Sequence, residues 1–93
     1  MKAGAAIVEK NAPTLRLLSR EDCHLCEIVQ RDLDMLGLRY EMVDVDSDVG
    51  LEQLYGDSIP VLLYGDREIA RAPIERKDLQ KALGRLKLTG AKR

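Results

Sequence analysis

Residues Ser19–Leu33 read SREDCHLCEIVQRDL and hold both cysteines and the only histidine of the 93-residue chain. Leu25, Val29, Leu33 and Leu36 recur at i, i+4, i+8 and i+11, with Ile28 beside them, which predicts a helix with one apolar stripe. Asp22 or Cys23 opens this helix, and it runs to about Leu36 with Gly37 behind it. Asp suits an N-cap and Gly a C′ position. Upstream, Thr14–Ser19 (TLRLLS) reads as a buried strand. Cys23 therefore falls where a strand gives way to a helix.

Working outward, Leu38–Val45 (LRYEMVDV) alternates at Leu38, Tyr40 and Met42 and predicts a second strand. Asp46-Ser47-Asp48 is a capping cluster for a short helix that ends near Tyr55, before Gly56. Pro60–Tyr64 (PVLLY) and Arg67–Arg71 (REIAR) flank Gly65-Asp66, the pattern of a tight hairpin. Pro73 precedes a last helix, about Glu75–Leu86, whose apolar face is Leu79, Ala82, Leu83 and Leu86. Asp78 sits in its first turn. The order is β-α-β-α-β-β-α, with the first β-α-β unit parallel and right-handed.

The length suits one domain. Hydrophobic residues make up 45% of the chain, and Phe and Trp are absent, so Leu, Ile, Val and Ala must form the core. We expect a flexible N-terminal arm over 1–13, a domain over 14–88 and a basic tail over 89–93. A net charge of −1 gives no electrostatic footprint for nucleic acid or an anionic membrane. No run approaches a signal h-region or a membrane span, so the default setting is cytoplasmic and reducing. There, closely spaced cysteines are more often catalytic or metal-binding than structural.

At a helix mouth, free N–H groups and the positive end of the dipole favour a thiolate at Cys23. Arg20, and His24 when protonated, act in the same direction, whereas Glu21, Asp22 and Glu27 oppose it. A thiol more acidic than free cysteine is the expected balance. Cys26 lies one turn deeper and can resolve a mixed disulfide formed by Cys23. A C-x-x-C in a βαβ context is a redox signature. Other readings are two inert buried thiols, a zinc site for which Cys23, His24 and Cys26 offer at most three ligands, and an iron–sulfur cluster shared between two chains.

The motif, the element order and Ile59-Pro60 together resemble the glutaredoxin-like branch of the thioredoxin superfamily over about Thr14–Leu86. The resemblance implies an α/β thioredoxin-like fold with a four-stranded mixed sheet of order 2-1-3-4, and with the first and third helices on one face. SREDCHLC takes the place of that family's S-K-x-x-C-P-Y-C. This implies Cys23 as nucleophile, Cys26 as resolving cysteine and Arg20 as the upstream basic residue. His24 and Leu25 replace the Pro-Tyr pair. The segment DSIPVLLYGDREIA resembles the family's T-V-P segment and hairpin. By that likeness Ile59-Pro60 is cis and faces the cysteines, and Ile59 pairs its backbone with glutathione or a protein thiol by strand addition. Ala70-Arg71 replaces the family's Gly-Gly, with Arg71 available to a carboxylate.

The expected function is that of a small dithiol–disulfide oxidoreductase working through Cys23 and Cys26. Arg20, His24, Leu25, Ile59, Pro60 and Arg71 would contact its substrate. It needs no bound cofactor and no metal, with glutathione as a co-substrate. The expected partner is a protein disulfide or a glutathione mixed disulfide, and the expected state is a monomer. From other classes come a thioredoxin-fold binding or adaptor module with little turnover, and a glutathione-assisted iron–sulfur cluster carrier.

Overall fold

The two apolar runs, TLRLLS and PVLLY, become the centre of the sheet. The computed structural model describes residues 14–86, so the expected arm (1–13) and basic tail (89–93) lie outside the described residues. The elements are β1 (Leu15–Ser19), α1 (His24–Met35), β2 (Glu41–Asp44), a 3-10 turn (Val45–Ser47), α2 (Val49–Tyr55), β3 (Val61–Tyr64), β4 (Arg67–Arg71) and α3 (Arg76–Arg85). They form one four-stranded sheet of order β2-β1-β3-β4. Strand β1 pairs parallel with β2 and antiparallel with β3, and β3 pairs antiparallel with β4.

The central strands are buried on both faces, so they read as nearly continuous apolar runs, broken by the half-buried Arg16. Leu15, Leu17 and Leu62 face one side, where they meet Val29 and Leu33 of α1 and Leu79 and Leu83 of α3. Leu18, Val61 and Leu63 face the other side, against Leu51 and Tyr55 of α2. Helices α1 and α3 thus share a face and α2 covers the opposite one. The edge strands β2 and β4 contain no fully buried residue and are more polar, as suits strands that border solvent.

Two boundaries differ from expectation, each for a local reason. The second strand begins at Glu41 instead of Leu38. Gly37 takes φ 74°, a left-handed conformation that glycine adopts at little cost. There the Gly37 N–H donates to the Asp34 carbonyl (3.0 Å) and the Leu38 N–H to the Leu33 carbonyl (3.2 Å). This Schellman closure commits Leu38 to the helix end, and Leu38 packs on the core instead of joining a ladder. At the other end Val45 leaves the sheet for the 3-10 turn, because the Asp44 carboxylate accepts the Asp46 N–H at 2.9 Å.

Tyr40 bridges the gap so opened. Its hydroxyl donates to Asp34 Oδ1 at 2.7 Å. Burial first, and then that carboxylate, push its phenol up to about 12. The hairpin turns through Gly65-Asp66, with Tyr64 opposite Arg67 and Gly65 at φ 65°, the demand of a type II′ turn. Beyond it the register slips, since Leu62 faces Ala70 but Leu63 faces Glu68. Ile69 is the extra residue of a bulge.

Leu33 is wholly buried between α1 and the sheet. Leu33→Ala is expected to cost about 3 kcal/mol in urea unfolding, while Leu54→Ala, at a position 70% exposed, should stay within about 0.5 kcal/mol of the parent.

Candidate active site

Strand β1 ends at Ser19, and the chain must turn before α1 can start. Arg20-Glu21-Asp22-Cys23 makes that turn, closed by the Cys23 N–H donating to the Arg20 carbonyl at 3.2 Å. Asp22 occupies it at φ 65°, a conformation that Asp tolerates better than most residues. Asp22 therefore serves the turn, and the N-cap is Cys23 itself. Its Sγ accepts the Cys26 N–H at 3.1 Å, and its carbonyl accepts the Glu27 N–H at 3.1 Å. Cys23 and Cys26 are joined in a disulfide with 5.2 Å between their Cα atoms. Cys23 is half-buried and Cys26 is 2% exposed, so the leading sulfur is the one nearer solvent.

One hollow is lined by this disulfide, and a second opens beyond Leu25. The first, about 420 Å³, is lined by both cysteines together with Glu21, Asp22, Glu27, Met42 and Asp44. The second, about 280 Å³, is lined mainly by Leu25, Ile28, Pro60, Pro73 and Ile74, with Asp32 and Arg76 at its side. The peptide bonds before Pro60 and Pro73 are both cis. Ile59 turns its side chain to the α2 face, while Pro60 lines the second hollow. The Pro60 carbonyl accepts the Ala72 N–H at 2.9 Å. Among the described residues, no protein group hydrogen-bonds to the backbone of Ile59.

Of the basic residues expected at the site, Arg20 lines the first hollow and Arg71 lines neither, and both are ion-paired. Arg20 forks onto Asp46, with Nε to Oδ2 at 2.8 Å and Nη2 to Oδ1 at 2.9 Å, and donates to the Gly56 carbonyl at 3.3 Å. It ties the end of β1 to the turn before α2 and so does not offer Cys23 an unpaired charge. The hydrogen bonds between the pair raise the Arg20 guanidinium further and hold the Asp46 carboxyl below its ordinary value. Arg71 likewise forks onto Glu68, both contacts at 2.7 Å, and donates to Ser58 Oγ at 3.0 Å. Residues three apart on a regular strand point to opposite faces, so it is the Ile69 bulge that lets Glu68 and Arg71 meet. Arg71 is thus answered from within its own strand. Hydrogen bonding to it lowers the Glu68 carboxyl.

His24 is exposed in the first turn of α1, its Nδ1 3.7 Å from Glu27 Oε1. Leu25 is 56% exposed between the two cysteines. Sequence reasoning missed Ile28 and Ile74, the further apolar walls of the second hollow, and Asp32, which is buried and accepts from Arg76 Nε and Nη2 at 3.3 Å. Asp78 keeps its expected place in the first turn, accepting the Glu75 N–H at 3.0 Å. Among the described residues no three His, Cys, Asp or Glu side chains gather as a metal set, and no helix is long and apolar enough to cross a membrane.

Residues 14–84 match the family described as glutaredoxin-like domain (DUF836). The chain belongs to that family. A protein of X. campestris of known structure is 32% identical and superposes with a TM-score of 0.69, over 77% of this chain and 97% of its own. A Nitrosomonas europaea protein is 27% identical with a TM-score of 0.65, over 76% and 91%. Buckwheat glutaredoxin, solved in complex with glutathione, is 22% identical with a TM-score of 0.55, over 94% and 84%, and shares the fold. No curated protein matches the sequence. A C-x-x-C pair at this place in a glutaredoxin-like domain points to redox thiol chemistry.

The Arg20–Asp46 and Glu68–Arg71 pairs carry a pH signature. Both carboxyls sit lower in the folded chain than in the unfolded one. Their contribution is therefore present above the ordinary carboxylate value and is lost as pH falls through the folded one. Thermal midpoints should drop as pH falls below the ordinary carboxylate range of about 4, and Asp46→Asn should flatten part of that drop. An unchanged profile in Asp46→Asn would show that the Asp46 pair contributes nothing.

Proposed function

We propose that the protein is a small dithiol–disulfide oxidoreductase that reduces disulfides through Cys23 and Cys26. The observation that carries this reading is the position of Cys23 Sγ. It is the acceptor at the N-cap of α1, on the solvent side of a buried partner sulfur within bonding reach. In the reduced protein the same amide and the helix dipole favour the thiolate. The Cys23 thiolate attacks one sulfur of the substrate disulfide, forming a mixed disulfide and releasing the other substrate sulfur as a thiolate. Cys26 then loses its proton to solvent and attacks Cys23 Sγ. The second substrate thiolate leaves, and the Cys23–Cys26 disulfide remains. Two electrons pass from the protein dithiol to the substrate, and a dithiol donor or glutathione must restore them.

Ile59 supports this reading through its unbonded backbone, which can pair with an extended substrate as an added strand. Leu25 and Pro60 border the same approach. No bound cofactor is required, and the chemistry suits the reducing cytoplasm. Arg20 and Arg71 hold the scaffold instead of the substrate.

Cys23→Ser should abolish cleavage of a small disulfide such as hydroxyethyl disulfide, while Cys26→Ser should trap the mixed disulfide as a stable adduct seen by mass spectrometry. In the reduced protein Cys23 should ionise below the free-cysteine value of about 8.5, read by the thiolate absorbance at 240 nm. Turnover that persists in Cys23→Ser would overturn the proposal.

A further inference from the structure

The disulfide lines one hollow, which carries acidic side chains, and a separate apolar hollow opens beyond Leu25. In the first stand Glu21, Asp22, Glu27 and Asp44. The only cation among those lining residues is Arg20, whose charge already answers Asp46. In the second, Leu25, Ile28, Pro60, Pro73 and Ile74 form an apolar groove. Its single arginine, Arg76, is engaged by the buried Asp32. Arg71, which lines neither hollow, is forked onto Glu68, and Lys77 lies 3.6 Å from Glu75. Glutathione is a short peptide with two carboxylates and one ammonium, so a site that recognises it needs cations to meet the carboxylates. Among the described residues, each arginine lining either hollow is already paired with an acid, and the other ionisable side chains around the disulfide are acidic apart from His24, which lies 3.7 Å from Glu27.

On the reading that the protein reduces disulfides, we propose that its substrate is an extended polypeptide and not glutathione. The reacting cysteine of that polypeptide is flanked by a large aliphatic side chain on one side and by lysine or arginine on the other. The aliphatic side chain enters the groove between Leu25, Ile28 and Ile74. The basic side chain faces Glu21, Asp22 and Glu27, where charge complementarity speeds encounter and rejects anions. The backbone next to the cysteine pairs with Ile59, which has no internal partner. Leu25, placed between the two cysteines and more than half exposed, joins the groove to the reacting sulfur. The exchange is the one already written: each substrate sulfur leaves as a thiolate, and the protein is left as the Cys23–Cys26 disulfide.

The test is a single-turnover reaction of the fully reduced protein, freed of reductant, followed by stopped flow. The probes are the symmetric disulfides of acetyl-Leu-Cys-Lys-amide and of its reversed order, the Ala-Cys-Lys and Leu-Cys-Asp analogues, glutathione disulfide and hydroxyethyl disulfide. The better of the two Leu–Lys peptides should react about tenfold faster than its alanine analogue, the worth of half-burying one aliphatic side chain. Glutathione disulfide and the aspartate peptide should be slowest and should gain rate as salt screens the acidic flank. Leu25→Asp, at an exposed position that the fold does not need, should bring the Leu:Ala rate ratio close to one. Glu21→Lys combined with Glu27→Lys should raise the glutathione rate relative to the lysine peptide. Glutathione disulfide reacting as fast as the Leu–Lys peptides, or a Leu:Ala ratio unmoved by Leu25→Asp, would overturn this specificity alone. Failure to reduce even the neutral hydroxyethyl disulfide would overturn the oxidoreductase reading beneath it.

Discussion

The first turn of α1 is capped by a sulfur atom. Helix starts normally take a side-chain oxygen from Ser, Thr, Asp or Asn, and this chain uses Asp48 in that way for α2. At α1 the preceding Asp22 is committed to a left-handed turn position, and Cys23 accepts the Cys26 amide instead. The group proposed to react is therefore also the group that satisfies the helix. Its position follows from packing well down the chain. Val29 and Leu33 seat α1 on β1 and β3, and the Schellman closure at Gly37 sets where the helix ends. With both fixed, the first turn of α1 can only lie beyond the end of β1.

Charge is arranged to the same end. Arg20 with Asp46, Arg71 with Glu68 and Arg76 with Asp32 each join a basic residue to an acid through two hydrogen bonds. Two of these pairs span distant stretches of chain, tying β1 to the turn before α2 and α1 to the start of α3. Exposed ion pairs contribute little to stability individually, and their larger effect here is on the field at the site. Once the guanidinium groups are answered, Glu21, Asp22 and Glu27 dominate the surroundings of Cys23. A thiolate there depends on the helix N-terminus and its amide, not on a neighbouring cation.

This explains which parts were legible in the sequence. The sheet centre was legible because β1 and β3 are apolar on both faces and short. The cysteine pair and Pro60 were legible because their chemistry is local to a few residues. Strand β2 was overread at both ends, since a hydrogen bond from Leu38 to Leu33 and an Asp44 turn leave no mark in the alternation of Leu38, Tyr40 and Met42. Arg20 and Arg71 look like free site cations in the sequence because their partners are hidden in a linear reading. Asp46 is 26 residues from Arg20, and Glu68 reaches Arg71 only through a bulge that no pattern announces. Ile28 reads as one more residue of the helix stripe, and Ile74, alone after Pro73, has no periodic neighbour to give it a place.

The stripe of α1 was in fact longer than the core it covers. Val29 and Leu33 are buried, yet Leu25, on the same line, is 56% exposed, and Ile28 is only half-buried. A helix that runs past the edge of its sheet must leave apolar surface uncovered there, and in this molecule that edge is where the disulfide lies. Val49 and Leu54 of α2 are exposed still further, but they line neither of the two hollows near the cysteines. Exposed apolar side chains scattered singly are ordinary on protein surfaces, whereas a contiguous apolar wall marks a binding surface. The uncovered end of α1 has such a wall, because cis-linked Pro60, Pro73 and Ile74 come up opposite Leu25 and Ile28. The periodicity that predicts the helix thus also supplies one side of the groove beside Cys23. The other side comes from a loop more than thirty residues further along the chain.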